Sequence, residues 1–314
     1  MSSAPIHPRI SDALGRPLRD LRISLTDRCN FRCTYCMPRN IFGPNHLFLP
    51  ESQLLSFSEI IRLASFFARL GVSKLRLTGG EPLLRPNLTN LIPQLAAIDG
   101  IDDIALTTNG TLLDKLSANL KQAGLHRLTV SLDALDPDLF QSISDTQVPL
   151  QTVLNGIRTA HNAGFSPIKI NAVIQRNLNE SQILPLAQQF TQPGFILRYI
   201  EYMDVGNSNG WKLNQVVPAS EILEILSRHF TLDPLPLHCQ SDTARRYQIR
   251  ETGGEFGIIA SVSAPFCGQC SRARLSADGQ LHTCLFSPPT LDLRGLLRSG
   301  ASDSVLLEAI ADCW

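Results

Sequence analysis

Leu21-Arg-Ile-Ser-Leu-Thr26, running into Asp27-Arg-Cys-Asn-Phe-Arg-Cys-Thr-Tyr-Cys36, is the stretch on which the reading of this chain turns. Its first part alternates. Leu21, Ile23 and Leu25 share one face of a strand, and Arg22, Ser24 and Thr26 share the other. The second part sets Cys29, Cys33 and Cys36 at C-x3-C-x2-C spacing, so one short loop can bring three sulfurs to one metal centre. A closed structural zinc site wants four protein ligands, and the closest further Cys or His is His46. Three thiolates suit an iron–sulfur cluster with one iron left open. Two other readings stand beside it: three unrelated buried thiols, and zinc with a distant fourth ligand.

The alternation recurs outward from this stretch. Lys74, Arg76 and Thr78 oppose Leu75 and Leu77; Arg127, Thr129 and Ser131 oppose Leu128, Val130 and Leu132; Lys169 and Asn171 oppose Ile168 and Ile170. Candidate strands at 21–26, 74–78, 103–107, 127–132, 168–174 and 195–200 alternate with helical stretches near 58–70, 87–98, 111–123, 150–163 and 181–191, with another near 219–229. In the first helix Ile60, Leu63, Ala64, Phe67 and Leu70 keep helical spacing before a Gly71 stop. Such alternation predicts an α/β fold of parallel crossovers: a partial (βα)6 TIM-type barrel, although a doubly wound sheet has the same pattern. Strands buried on both faces read as near-continuous apolar runs, and a closed eight-stranded barrel fills its lumen with Val, Ile and Leu. Here one face of each strand is polar. With helices over the apolar faces, the polar faces line a common interior. Unpaired buried cations are costly, so that interior should hold water and an anionic ligand.

Composition narrows the class. A chain of 314 residues with 28 Lys+Arg and 28 Asp+Glu has no overall field to recruit nucleic acid or an anionic membrane, so anion binding must come from local clusters. No apolar run approaches a membrane span, and Met1–Pro8 lacks the apolar core of a signal peptide. Six cysteines fall in two tight groups while Cys239 and Cys313 stand alone, which reads as metal or redox chemistry in a reducing, cytoplasmic compartment.

The second group is Cys267-Gly-Gln-Cys270 followed by Cys284, again three thiolates; a zinc site completed by His282 or Cys239 is the alternative. Arg272 and Arg274 lie between them on a strand-like run, ahead of a hairpin at Asp278-Gly279, so their guanidinium forks point the same way and fit phosphate oxygens. At the ends of the earlier strands stand Thr78-Gly-Gly-Glu-Pro82, Thr107-Thr-Asn-Gly110 and Ser131-Leu-Asp133, on the rim that carries the first cysteines. The glycines there would let backbone amides approach a ligand, and Glu81 could accept from an ammonium or hydroxyl.

The three-cysteine loop, Gly-Gly-Glu-Pro and the six strand–helix units resemble the radical S-adenosylmethionine superfamily. Adding Leu106–Gly110, Ser131–Leu135, Tyr199–Gly206 and Arg272–Gly279, the chain from about Gly15 onward resembles the GTP 3′,8-cyclase family (molybdenum cofactor biosynthesis protein A). That resemblance implies two [4Fe–4S] clusters, one on Cys29, Cys33 and Cys36 and one on Cys267, Cys270 and Cys284. It implies S-adenosylmethionine beside Tyr35, Gly80, Ser131 and Met203. GTP would be held by Arg22, Arg76, Thr107, Lys169 and Arg272-Ala273-Arg274, with Lys74 and Arg198 nearby. The implied reaction begins with a 5′-deoxyadenosyl radical abstracting the ribose 3′ hydrogen. The carbon radical then attacks guanine C8 and the product radical is reduced, giving (8S)-3′,8-cyclo-7,8-dihydroguanosine 5′-triphosphate, with Arg22 as a candidate for stabilising charge. Also implied are a flavodoxin- or ferredoxin-type electron donor and a homodimer, with no membrane or nucleic-acid partner. The rivals are a peptide-modifying radical enzyme and a non-catalytic or paralogous two-cluster nucleotide-binding protein.

Three departures accompany the resemblance. Ser144-Asp-Thr-Gln stands where Gly-Arg or Asn-Arg is frequent, Ser271 where Asn or Thr is common, and the sequence ends at Ala311-Asp-Cys-Trp314 without the family's Gly-Gly tail. The expectation is that this chain binds clusters, cofactor and GTP but cyclises poorly unless a peptide ending in Gly-Gly is supplied. The expected organisation is an arm at 1–17, a partial barrel at 18–232 and a cluster- and GTP-binding region at 233–314.

Overall fold

The computed structural model describes residues 10–205, 210–237, 239 and 241–314. Residues 1–9 of the expected arm, and Gly206 at the end of the Tyr199–Gly206 stretch, lie outside them. The chain runs β1 (Asp20–Ser24), α1 (Phe57–Arg69), β2 (Lys74–Thr78), α2 (Leu88–Ala96), β3 (Asp103–Thr108), α3 (Leu113–Gln122) and β4 (Arg127–Ser131). Then come α4 (Pro137–Ser144), α5 (Leu150–Asn162), β5 (Ile168–Ile174), α6 (Ile183–Phe190), β6 (Phe195–Glu201) and α7 (Ala219–Ser227). The last third holds β7 (Leu232–Leu235), β8 (Arg245–Ile249), β9 (Glu255–Ile259), β10 (Arg272–Leu275), β11 (Gln280–His282), β12 (Leu291–Asp292), α8 (Leu293–Arg298) and α9 (Asp303–Cys313). The six expected strands and six expected helices are all present, each end within two residues of its expected place. Helix α4 was not anticipated. Asp136 caps it by accepting from the Leu139 N–H at 2.8 Å, with Pro137 in its first turn.

The strands form one open sheet in the order β12-β11-β10-β1-β2-β3-β4-β5-β6-β9-β8-β7. From β1 to β6 each strand lies beside the next in sequence with no reversal, so the doubly wound alternative falls and the partial barrel holds. The last third of the chain adds to both edges. β9 pairs parallel with β6 and β10 parallel with β1, extending the parallel ladder to eight strands, while β7, β8, β11 and β12 add antiparallel margins. Residue 232, the expected end of the barrel unit, is the first residue of β7.

Period-2 alternation sorts the side chains as the sequence demands. Leu21, Ile23, Leu75, Leu77, Leu128, Val130, Ile168 and Ile170 are no more than 1 % exposed. They pack in one core with helix residues such as Ile60, Leu63 and Phe67 of α1. Each such burial contributes about 1.5–3 kcal/mol, which leaves the opposite, polar faces committed to the barrel interior. Among the described residues no helix is long and apolar enough to cross a membrane.

Candidate active site

The polar faces enclose a cavity of about 910 Å3. Arg22, Lys74, Arg76, Thr107, Lys169, Arg198, Arg272, Arg274 and Met203 line it, as do Cys267, Cys270 and Cys284. Cys29, Cys33, Cys36, Tyr35, Gly80 and Ser131 do not line it. Ala273 also lies outside it: between two inward-facing arginines its methyl is carried to the apolar side of β10, where it is 1 % exposed. Of that tripeptide, only the flanking guanidinium groups face the cavity.

Ten Lys or Arg line the cavity against four Asp or Glu, an excess of positive charge that calls for an anion. Burial, then Arg274, Arg76 and Arg272, hold the Arg22 guanidinium well below its ordinary pKa. Arg76 and Arg198 are each pulled to about 10, chiefly by burial. Burial, then Arg198, Arg127 and Arg76, bring the Lys169 amine down to about 7. Arg76 donates to the hydroxyls of Thr107 and Thr129 at 3.2 Å, which fixes its head between β3 and β4.

The first cysteine loop sits on the carboxyl end of β1 and is held from four sides. Gly79 and Gly80 are there for close approach. A Cβ on Gly80 would lie 2.2 Å from the Arg28 carbonyl oxygen, and one on Gly79 2.5 Å from that of Thr26. The Gly80 N–H donates to Thr26 and the Glu81 N–H to Arg28, both at 2.8 Å, so these amides hold the cysteine loop and are not free for a ligand. Glu81, 1 % exposed, accepts from the Thr108 hydroxyl and the Asn109 N–H at 2.7 Å. It therefore meets a hydroxyl, as its chemistry suggested, but one belonging to β3. Asn109 donates onward to Asn30 at 2.8 Å. Tyr35 donates to Asp133 at 2.7 Å, and burial raises that carboxyl to about 6 against the Val173 N–H and Tyr35 hydroxyl that lower it. The C-terminal carbonyls of α4 complete the support: Ile143 accepts from the Thr34 N–H and Ser144 from the Arg32 N–H, both at 3.0 Å.

Cys29 and Cys33 are half-buried and Cys36 is exposed. Burial pushes the Cys33 thiol well up, and Asp133, then Cys36 and Cys29, push it further. Among the described residues no group of three or more His, Cys, Asp or Glu converges to hold a single metal ion. Three thiolates on a cubane cluster each hold a different iron, a role that the donor chemistry of Cys29, Cys33 and Cys36 fits.

The second group lies at the opposite end of the barrel. Arg272 pairs with Asp20 in parallel register, which places Cys267 and Cys270 at the amino end of β1. β11 runs back antiparallel and delivers Cys284 to the same end. Arg272 reaches the Cys270 sulfur at 3.3 Å. Two contacts of this end were missed from sequence. Arg16 donates to the Cys267 carbonyl at 2.8 Å, and the Trp314 indole donates to the Arg16 carbonyl at 3.0 Å. Arg127 and Arg246 also line the cavity, paired with Asp103 and Glu255. The Arg127 alternation signalled it; nothing local signals the other contacts.

Residues 23–190 match the family model described as Radical SAM superfamily, and residues 195–314 match Molybdenum Cofactor Synthesis C. A protein of Acidothermus cellulolyticus called GTP 3′,8-cyclase is 54 % identical over 309 residues, spanning 97 % of this chain and 85 % of its own. One of Staphylococcus haemolyticus with the same name is 48 % identical over 307 residues, 98 % of this chain and 90 % of its own. Among solved structures, Streptococcus suis SuiB bound to precursor peptide SuiA superposes with a TM-score of 0.63 at 16 % identity, over 90 % of this chain and 64 % of that chain. At that identity the likeness speaks for the fold alone. The two cysteine triplets, the basic barrel between them and near-full-length identity to these relatives give one conclusion: this chain belongs to the GTP 3′,8-cyclase family of the radical S-adenosylmethionine superfamily.

Proposed function

We propose that this chain converts GTP to (8S)-3′,8-cyclo-7,8-dihydroguanosine 5′-triphosphate, the opening step of molybdenum-cofactor biosynthesis. The observation that carries the reading is the cavity with its excess of Lys and Arg, bounded at one end by the second cysteine triplet. A triphosphate carries roughly four negative charges, which such a field suits. Cys29, Cys33 and Cys36 would hold a [4Fe–4S] cluster, and Tyr35, Gly80, Ser131 and Met203 would border S-adenosylmethionine. Cluster and S-adenosylmethionine, when bound, supply a 5′-deoxyadenosyl radical by one-electron cleavage of the sulfonium.

The chain's own residues position the substrate. Lys74, Arg76, Lys169 and Arg198 neutralise the phosphates, and Thr107 fixes Arg76. Arg272 and Arg274 hold the nucleotide near the second triplet, where Cys267, Cys270 and Cys284 would carry a second [4Fe–4S] cluster facing the guanine. Arg22, between both sets, meets charge that develops on the base. Holding the ribose between two fixed ends restricts which hydrogen the radical can reach. The reading also includes a cytoplasmic setting, a flavodoxin- or ferredoxin-type reductant, a homodimer and a functional division near residue 232.

Anaerobic reconstitution tests it. The expected outcome is about eight irons per chain, 5′-deoxyadenosine formed only when GTP is present, and the cyclised triphosphate identified by mass. Zinc without iron overturns the proposal. Cofactor cleavage indifferent to GTP favours a peptide-modifying enzyme.

A further inference from the structure

Cys267 and Cys270 sit on one short turn, closed by the Cys270 N–H donating to the Cys267 carbonyl at 3.1 Å. A carbonyl has two lone pairs, and this one also accepts from Arg16 Nη1 at 2.8 Å. Arg16 is itself held. Asp12 Oδ2 accepts from Arg16 Nε at 2.6 Å and pairs with Nη2 at 2.5 Å. Asp12 Oδ1 takes the Leu14 and Arg16 N–H groups at 2.9 and 2.8 Å, which folds the turn that aims the guanidinium. Just downstream, the Arg19 and Asp20 N–H groups both donate to the Ser271 carbonyl at 3.0 Å, so the segment is fastened to the chain directly after Cys270.

A surface Asp–Arg pair is ordinarily worth little. This one differs because its arginine ends on the backbone of a candidate metal ligand 251 positions away. Charge-assisted hydrogen bonds are roughly twice as strong as neutral ones, and contacts behind a ligand set fix its orientation and electronics. An iron–sulfur cluster gains one negative charge when it takes an electron from its reductant, with no bond made or broken, so nearby charge moves its potential. We infer that Arg16 is a positioning residue for the second metal centre: its bond to the Cys267 carbonyl fixes the turn that presents Cys267 and Cys270 to iron, and the Asp12–Arg16 pair tunes the potential there. The inference rests on the two-cluster reading above. The two partners work together on the turn but against each other on the electron. The Arg16 charge favours the reduced cluster, and the Asp12 carboxylate opposes it.

The test compares the anaerobically reconstituted full chain with Arg16→Met, Arg16→Lys and Asp12→Asn. Iron release to a chelator is timed, and each cluster is titrated with dithionite under electron paramagnetic resonance. The second-cluster signal is the one lost in Cys284→Ser. Arg16→Met should release that cluster's iron roughly tenfold faster while the first cluster is unaffected. Arg16→Lys, which keeps a charged donor, should recover most of the difference. The one-electron equilibrium at the second cluster should shift roughly tenfold, about 59 mV, downward in Arg16→Met and upward in Asp12→Asn. Simple loosening of the turn would move both variants the same way. Should Arg16→Met fail to fold, the sign in Asp12→Asn decides. Second-cluster midpoints that stay still, or that move together, overturn the inference, as does unchanged iron release in Arg16→Met. Wild type that holds only about four irons, all on the first triplet, removes the second-cluster reading and this inference with it. About eight irons with unaltered variants overturns the inference alone.

Discussion

Lys169 offers the sharpest test of the buried field. Its amine stands at about 7 in the ligand-free cavity, from burial first and then Arg198, Arg127 and Arg76. A bound triphosphate reverses the sign of its surroundings and returns the amine to its charged form. Binding should then draw a proton from solvent: about a tenth of one at pH 6 and about nine-tenths at pH 8, with affinity falling toward tenfold per pH unit above 7. Arg76 and Arg198, at about 10, stay charged and do not contribute. Calorimetry of GTP binding in two buffers of different ionisation enthalpy reads the uptake directly. Protons on the nucleotide are common to wild type and Lys169→Met, so the difference between the proteins isolates this amine. Stability carries the opposite signature. The unfolded chain keeps the amine charged up to its ordinary value of 10.5 while the folded chain releases the proton near 7. The unfolded state thus binds more protons across that window, and stability rises with pH through it. The gap corresponds to roughly 5 kcal/mol, fully expressed below pH 7. Lys169→Met should therefore melt above wild type at pH 6 and converge with it as pH approaches 10.5. Equal heats in both buffers at pH 8, or the same uptake in the variant, would refute the reasoning.

Further expectations concern the scaffold of the site. Gly80→Ala forces a Cβ into the Arg28 carbonyl, so iron at the first triplet should be lost while the second is retained, read by iron content and electron paramagnetic resonance. Glu201, fully buried, accepts from the N–H groups of Ala219, Val262 and Ser263 and from the Ser263 hydroxyl. Glu201→Ala orphans these donors and should cost about 3 kcal/mol or more in denaturant unfolding. Asp136→Ala removes the cap of α4 at about 1 kcal/mol, and should speed iron release from the first loop because that helix holds the Arg32 and Thr34 amides.

Much of the barrel was legible because its signal is local. Period-2 alternation in Leu21–Thr26 or Lys74–Thr78 needs no partner to be read, and both cysteine triplets announce themselves by spacing. The same alternation set Ala273 apart from its two neighbours, although the arginine pair invites reading the tripeptide as a unit. What escaped depends on residues far apart. Arg16 meets the Cys267 carbonyl across 251 positions and Trp314 meets Arg16 across 298. Glu81 looked available because Thr108 and Asn109, to which it is bound, lie at the end of another strand and just beyond it, 27 and 28 positions away. Helix α4 has only eight residues, too short for its periodicity to stand out, though Asp136-Pro137 is a start signal. The edge strands β7 and β12 are shorter still and are fixed by pairing rather than by pattern.

Strand β1 has a metric consequence. One cysteine triplet hangs from its carboxyl end and the other is registered to its amino end through β10. Its five residues span about 17 Å, so the strand acts as a gauge block between the two ends. A β-strand cannot be lengthened by part of a residue, and adding one whole residue would turn Arg22 away from the interior. Mutation can retune the charge of the cavity freely, but its length is quantised, and only ligands of matching reach can touch both ends at once.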